Sequence, residues 1–254
     1  MKSSLFDLRD RVVIVTGGAV GIGKVYAERL VEAGARVAIA DVAAGESAAL
    51  TERLGANVLS APTDISDPPS VERMVQATLA RFGRIDGLVN NASLMSALPR
   101  RSWLEIPIEE WDRVMAVNLR GLFLCCRAVV PAMRRLGGGR IVNIASTRVF
   151  EGTPNRLHYT TSKAGAVGFT RALAREVGGD GITVNCIAPG RTLSETQIAG
   201  SDPAYLNDGS DALRALARAQ VPDDLVGALM FLLSDASAFV TGQTLVVDGG
   251  KVMH

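Results

Sequence analysis

The chain has 254 residues, 48% of them hydrophobic and 21% charged, with a net charge of +1. That length suits one large α/β domain around a substantial core, and the near-neutral balance gives no electrostatic case for nucleic acid or an anionic membrane. The opening M-K-S-S-L-F-D-L-R-D lacks an apolar signal core, and no run of about 18 uninterrupted apolar residues offers a membrane span, so a cytoplasmic protein is expected. Along the chain, short apolar runs alternate with helix-period segments, the pattern of a parallel sheet covered on both faces. V-V-I-V-T from Val12 is the first predicted strand, followed by a helix from about Ile22 to Ala33. R-V-A-I-A-D, N-V-L-S-A, D-G-L-V-N, R-I-V-N-I-A-S and I-T-V-N-C-I-A supply strands two to six, and T-L-V-V-D a seventh. Long helices are predicted from about Ile108 to Leu136, with a kink or late break at Pro131, and from about Tyr159 to Val177. The one irregular region, Gly190 to Gln220, has the length of a lid or binding loop. Cys125, Cys126 and Cys186 make no metal spacing; the first two, inside L-F-L-C-C, read as small core residues, with a reactive thiol as the lesser alternative.

The first strand runs directly into Thr16, Gly17, Gly18, Ala19, Val20, Gly21, Ile22 and Gly23, and then a helix. Such a tight turn lets the backbone approach a diphosphate, which would sit on free N–H groups at the positive end of that helix. The spacing is G-x-x-x-G-x-G, so the usual G-x-G-x-x-G fingerprint is not met literally. Asp41 closes the second strand, where a carboxylate can accept from both ribose hydroxyls of an adenosine and would repel a 2′-phosphate. Val42, Ala43 and Ala44 follow it and Val20 lies in the loop, so no cation is placed for a phosphate; NAD is favoured over NADP. The competing reading of Asp41 is an exposed cap for the next helix. The fold class expected is α/β: a single Rossmann-like doubly wound domain spanning residues 1–254, with a seven-stranded parallel sheet.

Tyr159 and Lys163 stand four residues apart in H-Y-T-T-S-K, on one helix face, downstream of Ser146 at a strand end. Free tyrosine, with a pKa of about 10, is a poor base at neutral pH, whereas a nearby ammonium stabilises the phenolate. Lowering that pKa by ~2–3 units corresponds to about 3–4 kcal/mol. A nicotinamide exchanges hydride, so a carbinol proton must move in step, and the phenol can carry it. Ser146 can hydrogen-bond the substrate oxygen and hold it within reach. A core tyrosine, a solvated lysine and a turn serine are the ordinary readings of each residue alone; their order on these elements points to chemistry.

These pieces resemble the short-chain dehydrogenase/reductase family over essentially the full length. The matching residues are T-G-G-A-V-G-I-G, Asp64 after the third strand, N-N-A-S from Asn90, Asn118 in V-N-L, Ser146, Tyr159 with Lys163, and P-G from Pro189. The resemblance implies that Gly17, Val20, Gly21, Ile22, Gly23 and Asp41 bind the cofactor, that Asp64 and Ile65 flank its adenine, and that Asn90 and Ala92 line its cleft. It also implies a catalytic tetrad of Asn118, Ser146, Tyr159 and Lys163, with Asn118 holding a water that relays protons; a helix-packing amide is the other reading of Asn118. The chain departs from the family at Ser93, where glycine is frequent, and after Pro189-Gly190, where Thr192 and Ser194 replace an aliphatic residue and a threonine. Thr192 could still bind the carboxamide through its backbone, and Ser194 could replace the threonine hydroxyl.

Leu94, Met95, Val149, Phe150 and Leu193 fall on segments bordering the family's substrate cleft and suggest apolar walls. His158 should point about 100° away from Tyr159 and reads as a pocket-wall or surface histidine. Arg100, Arg101, Arg148 and Arg191 could meet an acidic substrate, although arginines at loop ends are usually solvated. The family also implies a homotetramer. The expected function is an NAD(H)-dependent oxidoreductase interconverting a secondary alcohol and a ketone, similar to NAD-linked secondary-alcohol dehydrogenases. The alternatives are a 3-oxoacyl-thioester reductase, against which Asp41 counts, and a catalytically silent dinucleotide-binding regulator, against which the Ser146–Tyr159–Lys163 set counts.

Overall fold

A computed structural model describes residues 5–95, 98–199 and 209–253. Seven strands, β1 (Val12–Thr16), β2 (Arg36–Asp41), β3 (Val58–Pro62), β4 (Gly87–Asn90), β5 (Gly139–Ile144), β6 (Ile182–Pro189) and β7 (Thr244–Val247), pair in the order β3-β2-β1-β4-β5-β6-β7. Every pairing is parallel. All residues of β1 and β6 are buried, which is why these strands read as unbroken apolar runs: both faces are covered. Successive side chains go to opposite faces. Val13 and Val15 pack with Leu30, Leu50 and Leu229, while Ile14 packs with Met74, Val129 and Met133.

The first face is covered by α1 (Gly21–Glu32), α2 (Ala44–Leu54) and α9 (Val226–Leu233). The second is covered by α3 (Pro68–Phe82), by the helix formed by α4 (Ile108–Met115) and α5 (Leu122–Leu136), and by α7 (Leu157–Val177). α3 is well delimited. The Asp67 side chain accepts the Ser70 N–H at 3.1 Å, Pro68 takes the first turn where no N–H is needed, and Gly83 ends the helix at φ +77°.

The segment Ile108–Leu136 has the length and mean hydropathy, 1.5, of a membrane span, yet its Cys125, Val129 and Met133 belong to the core against the sheet. Helix α5 runs through Pro131 and ends at Leu136, the expected end. Between α4 and α5, residues Ala116–Gly121 form a π turn that the periodicity did not announce.

The chain builds β1 to β3 outward in one direction and then returns to place β4 on the other side of β1. The connections leaving β1 and β4 therefore diverge, and a crevice opens at the carboxyl ends of the strands. Thr16, Asp41, Asn90, Ile144 and Pro189 all end strands at that edge.

Candidate active site

The crevice holds a cleft of about 570 Å³. Its floor is the glycine turn. Gly17 and Gly21 take left-handed φ values of +61° and +58°. A Cβ on Gly23 would lie 1.9 Å from the Gly17 carbonyl oxygen, so only glycine lets the first turn of α1 pack on the loop. Asn91 knits this loop to the end of β4: its Nδ2 donates to the carbonyls of Thr16 and Gly17 at 3.0 Å each. Thr16 Oγ1 accepts the N–H groups of Asn91 and Ala92, both at 3.1 Å.

Asp41 is buried beside the loop. Its Oδ2 accepts the Ala19 N–H at 2.9 Å and its Oδ1 the Ala43 N–H at 3.0 Å. Val20 precedes α1 without a side-chain cap, and the N–H of Gly21 donates to Glu195 Oε1 at 3.3 Å. A carboxylate on that N–H is what the positive end of a helix attracts, and a diphosphate has the same chemistry. Gly17, Val20, Gly21, Ile22, Asp41, Asp64, Ile65, Ala92, Pro189, Gly190, Thr192 and Ser194 all line the cleft. The glycine cradle and the carboxylate at the end of β2 fit a dinucleotide.

Ser146, Tyr159 and Lys163 meet on the other side of the crevice and line the same cleft. α7 carries the latter two one turn apart, with the Lys163 ammonium 5.7 Å from the centre of the Tyr159 ring. Lys163 is buried and donates to the Ile144 carbonyl at 2.7 Å. Burial pulls its pKa down to about 8, against a smaller opposing influence from Cys186. Ser146 Oγ accepts the Arg148 N–H at 3.3 Å. Tyr159 packs against Leu98, Val114 and Met95. A phenol, an ammonium and a hydroxyl arranged this way can move a proton to or from an alcohol oxygen.

Asn118 sits in the π turn, just behind the wall formed by Ala116 and Val117. Its Oδ1 accepts the Leu94 N–H at 2.7 Å; its Nδ2 donates to the Leu94 carbonyl at 3.2 Å and to Ser162 Oγ at 3.1 Å. Ser162 Oγ in turn donates to the Tyr159 carbonyl at 2.7 Å. The amide thus joins the loop after β4 to the helix that carries Tyr159.

Several expected positions lie elsewhere. Asn90 is buried beneath the cleft, donating to Asn143 Oδ1 at 2.9 Å; the neighbouring Asn91 faces the loop instead. Gly23 serves by packing and does not line the cleft. Leu94 and Met95 form part of the wall, whereas Val149, Phe150 and Leu193 do not. The short helix α6 (Arg148–Glu151) turns Phe150 onto Ala145, Val167, Cys186 and Ala188, and Leu193 follows a bridge that pairs Thr192 with Gln220. His158 is neither wall nor surface: it is fully buried, with Nε2 3.1 Å from Glu110 Oε1. Of the expected lid, residues 190–199 and 209–220 are described, including α8 (Glu195–Ala199), while 200–208 lie outside the described residues. Sequence reasoning missed Asn91, Arg113, Arg156, Thr196 and Gln197, which also line the cleft. The N-N pair carried a signal for Asn91, since strand alternation must send one amide to each side.

Comparison with known proteins agrees with this geometry. A family described as "Enoyl-(Acyl carrier protein) reductase" matches residues 17–251. A probable galactose dehydrogenase of Rhizobium meliloti is 42% identical over 98% of this chain and 98% of its own length. The (2S)-[(R)-hydroxy(phenyl)methyl]succinyl-CoA dehydrogenase subunit of Thauera aromatica is 42% identical over 96% of this chain and 97% of its own. The 3-ketoacyl-(acyl-carrier-protein) reductase from Brucella melitensis, solved in complex with NADH, superposes with a TM-score of 0.90 at 30% identity, covering 97% of this chain and all of that one.

Proposed function

The chain belongs to the short-chain dehydrogenase/reductase family of oxidoreductases that act on CH–OH groups, and from that premise we propose that it is an NAD(H)-dependent enzyme interconverting a secondary alcohol and a ketone. The observation that carries this reading is the buried Lys163 ammonium beside the Tyr159 ring, in one cleft with Ser146 and the glycine loop. Asp41 supports NAD over NADP, because a carboxylate at the end of β2 accepts from ribose hydroxyls and repels a 2′-phosphate. The Brucella relative bound NADH, whereas the relatives' own substrates range from a sugar to acyl thioesters and single out none.

The glycine loop and the N-terminus of α1 would hold the diphosphate, Asp41 the adenosine ribose, Asp64 and Ile65 the adenine, and the Pro189–Ser194 stretch the nicotinamide. Bound there, the cofactor supplies a hydride acceptor or donor. Ser146 holds the carbinol or carbonyl oxygen in place. Tyr159 takes the proton from the alcohol or returns it to the ketone oxygen, and the Lys163 ammonium stabilises the phenolate that remains. Asn118 keeps the loop after β4 and the Tyr159 helix in register.

We further propose one domain with residues 190–220 as its lid, at work in the cytoplasm. A homotetramer is the proposed assembly, supported by the apolar Phe123 on α5 and Leu245 on edge strand β7, both exposed.

The test is nicotinamide absorbance across a panel of secondary alcohols, sugars and hydroxy acids, with wild type and Tyr159→Phe side by side. Turnover by the wild type, lost in Tyr159→Phe while NADH binding persists, is expected. Turnover that survives in Tyr159→Phe would overturn the role given to the phenol. Cofactor binding without any turnover, with both cofactors and in both directions, would favour the silent regulator.

A further inference from the structure

Tyr159 stands in the first turn of α7, three residues after the Arg156 that precedes the helix. That end is poorly delimited by its own sequence: Arg156 supplies no side-chain cap, and no acidic residue lies in the first turn. The first N–H groups of a helix have no acceptor within it, and helix ends fray. A phenol with an acid–base role therefore sits where α7 is least fixed by its own bonds, and other elements have to hold it.

The neighbouring helix does so with residues spaced four apart. Glu110, Val114 and Asn118 follow one another along α4 and the π turn, and they meet α7 at His158, Tyr159 and Ser162. His158 is fully buried next to the phenol's own residue, with Nε2 3.1 Å from Glu110 Oε1. A carboxylate only accepts, so Nε2 carries the donated hydrogen. Nδ1 is buried with no hydrogen-bond partner among the described residues, so Glu110 makes the ring's one hydrogen bond. The other oxygen of Glu110, Oε2, lies 3.5 Å from Arg101 Nη2 in the connection after β4, an ion pair that steadies the carboxylate. An anion beside the first turn also suits the positive end of α7. His158 does not line the cleft, so any effect it has on the chemistry passes through Tyr159.

We propose that His158 and Glu110 are positioning residues for the phenol: their hydrogen bond pins the open end of α7 to α4 and so keeps the Tyr159 ring 5.7 Å from the Lys163 ammonium and within reach of the oxygen on Ser146. The proposal rests on the acid–base role given to Tyr159 above. An ammonium stabilises a phenolate less as the two separate, and a displacement of about 1 Å at a reacting group can cost about a hundredfold in rate. Releasing the first turn should therefore act on both the ionisation of the phenol and turnover, and leave the distant cofactor loop as it is.

The experiment compares wild type with His158→Leu, which fills the space without the bond, and with His158→Gln, whose amide nitrogen can stand where Nε2 stands. Glu110→Ala removes the acceptor from the α4 side, and Tyr159→Phe is the blank. Ultraviolet titration of tyrosinate, with the Tyr159→Phe curve subtracted, isolates this phenol among the chain's three tyrosines and needs no substrate. NADH affinity is measured beside it, as are kcat and KM for the alcohol that turns over fastest in the panel above. His158→Leu and Glu110→Ala are expected to raise the pH at which Tyr159 ionises by about 0.5 or more and to lower kcat at least about tenfold, with NADH affinity within about twofold of wild type. His158→Gln should bring kcat back to within about threefold of wild type, and the ionisation of Tyr159 with it. If His158→Leu fails to fold, Glu110→Ala decides alone, because the Glu110 side chain is 20% exposed. Variants that lose stability yet keep the wild-type kcat and Tyr159 ionisation would overturn the proposal, since the pair would then serve the fold alone. A loss that His158→Gln does not recover would overturn it too. Turnover that survives in Tyr159→Phe would bring down the role given to the phenol, and this proposal with it.

Discussion

Replacing Asp41 by asparagine keeps the size of the side chain and removes its charge. The carboxylate accepts two backbone N–H groups, Ala19 in the glycine loop and Ala43 at the start of α2, one on each oxygen. Asparagine has a single acceptor oxygen, so one of those N–H groups would face an NH₂. A hydrogen bond to a charged group contributes about 1.5–3 kcal/mol, so the loop loses an interaction of that order at the place where the cofactor docks. The ribose loses a charge-assisted partner as well, and NADH affinity should fall about tenfold to a hundredfold. The effect on NADPH runs the other way. Unit charges at a contact separation of about 4 Å repel by about 4 kcal/mol at an effective dielectric of 20, so even half of that repulsion is worth more than a factor of ten in affinity. The wild type should therefore prefer NADH by about a hundredfold or more, and Asp41→Asn should narrow the preference to within about tenfold. Titration of intrinsic nicotinamide fluorescence with each reduced cofactor reads both numbers. A wild type that binds the two equally, or a variant whose preference is unchanged, would refute the reasoning.

Gly23→Ala puts a methyl group 1.9 Å from the Gly17 carbonyl, and the forced displacement should cost about 1–3 kcal/mol in urea unfolding and at least tenfold in NADH affinity; an unchanged midpoint would show that the loop yields freely. Glu195→Gln removes the carboxylate now seated on the Gly21 N–H, so NADH should bind about two- to fivefold more tightly, and weaker binding would mean Glu195 assists the cofactor. Lys163 has a folded pKa of about 8, below the ordinary value of 10.5, so between those limits the unfolded chain holds more protons. The penalty of its buried charge is full below about pH 8 and is relieved as pH rises towards 10.5. The stability of Lys163→Met relative to wild type should therefore decline by about 1 kcal/mol per pH unit across that window, and a flat difference in denaturant titrations would contradict the assignment. Asn118→Ala removes the side-chain partner of the half-buried Leu94 N–H and carbonyl and of the buried Ser162 hydroxyl and should cost about 1–3 kcal/mol, read by thermal unfolding; a loss below about 0.5 kcal/mol would show that other groups replace it.

How far the sequence could be read follows from which interactions are local. β1 and β6 were legible because a strand covered on both faces needs only an apolar run, and V-V-I-V-T or I-T-V-N-C-I-A announces itself without knowledge of its neighbours. The glycine turn and the Tyr159–Lys163 pair were legible for the same reason, since their geometry is set within a few residues. His158 was misjudged because its partner, Glu110, lies 48 residues upstream on another helix. Val149 and Phe150 were placed in the wall because their segment borders the family's substrate cleft, but the short helix they lie on turns the half-buried Phe150 onto Ala145, Val167, Cys186 and Ala188 instead. Of the arginines lining the cleft, Arg100, Arg148 and Arg191 were singled out in the sequence, whereas Arg113 and Arg156 were not, because only the packing of α4 and of the β5–α7 connection brings them to it.

The π turn is the sharpest case, because nothing in A-V-N-L-R-G distinguishes it from ordinary helix. Its causes are contacts made by other elements. Gly121 presses on Ile65, where a Cβ would come within 2.8 Å, and Leu119 packs on Gly165 of α7, where a Cβ would come within 3.0 Å. Both glycines bring α4 and α5 close to the loop after β3 and to the Tyr159 helix at once, and the wider turn accommodates both. Asn118 then bonds to Leu94 and to Ser162, and Ser162 to the Tyr159 carbonyl. The helix that carries the phenol is thereby held from behind by Asn118 and Ser162, neither of which lines the cleft. It follows that the site's precision depends on packing between distant segments, while its chemistry depends on a few residues in local motifs.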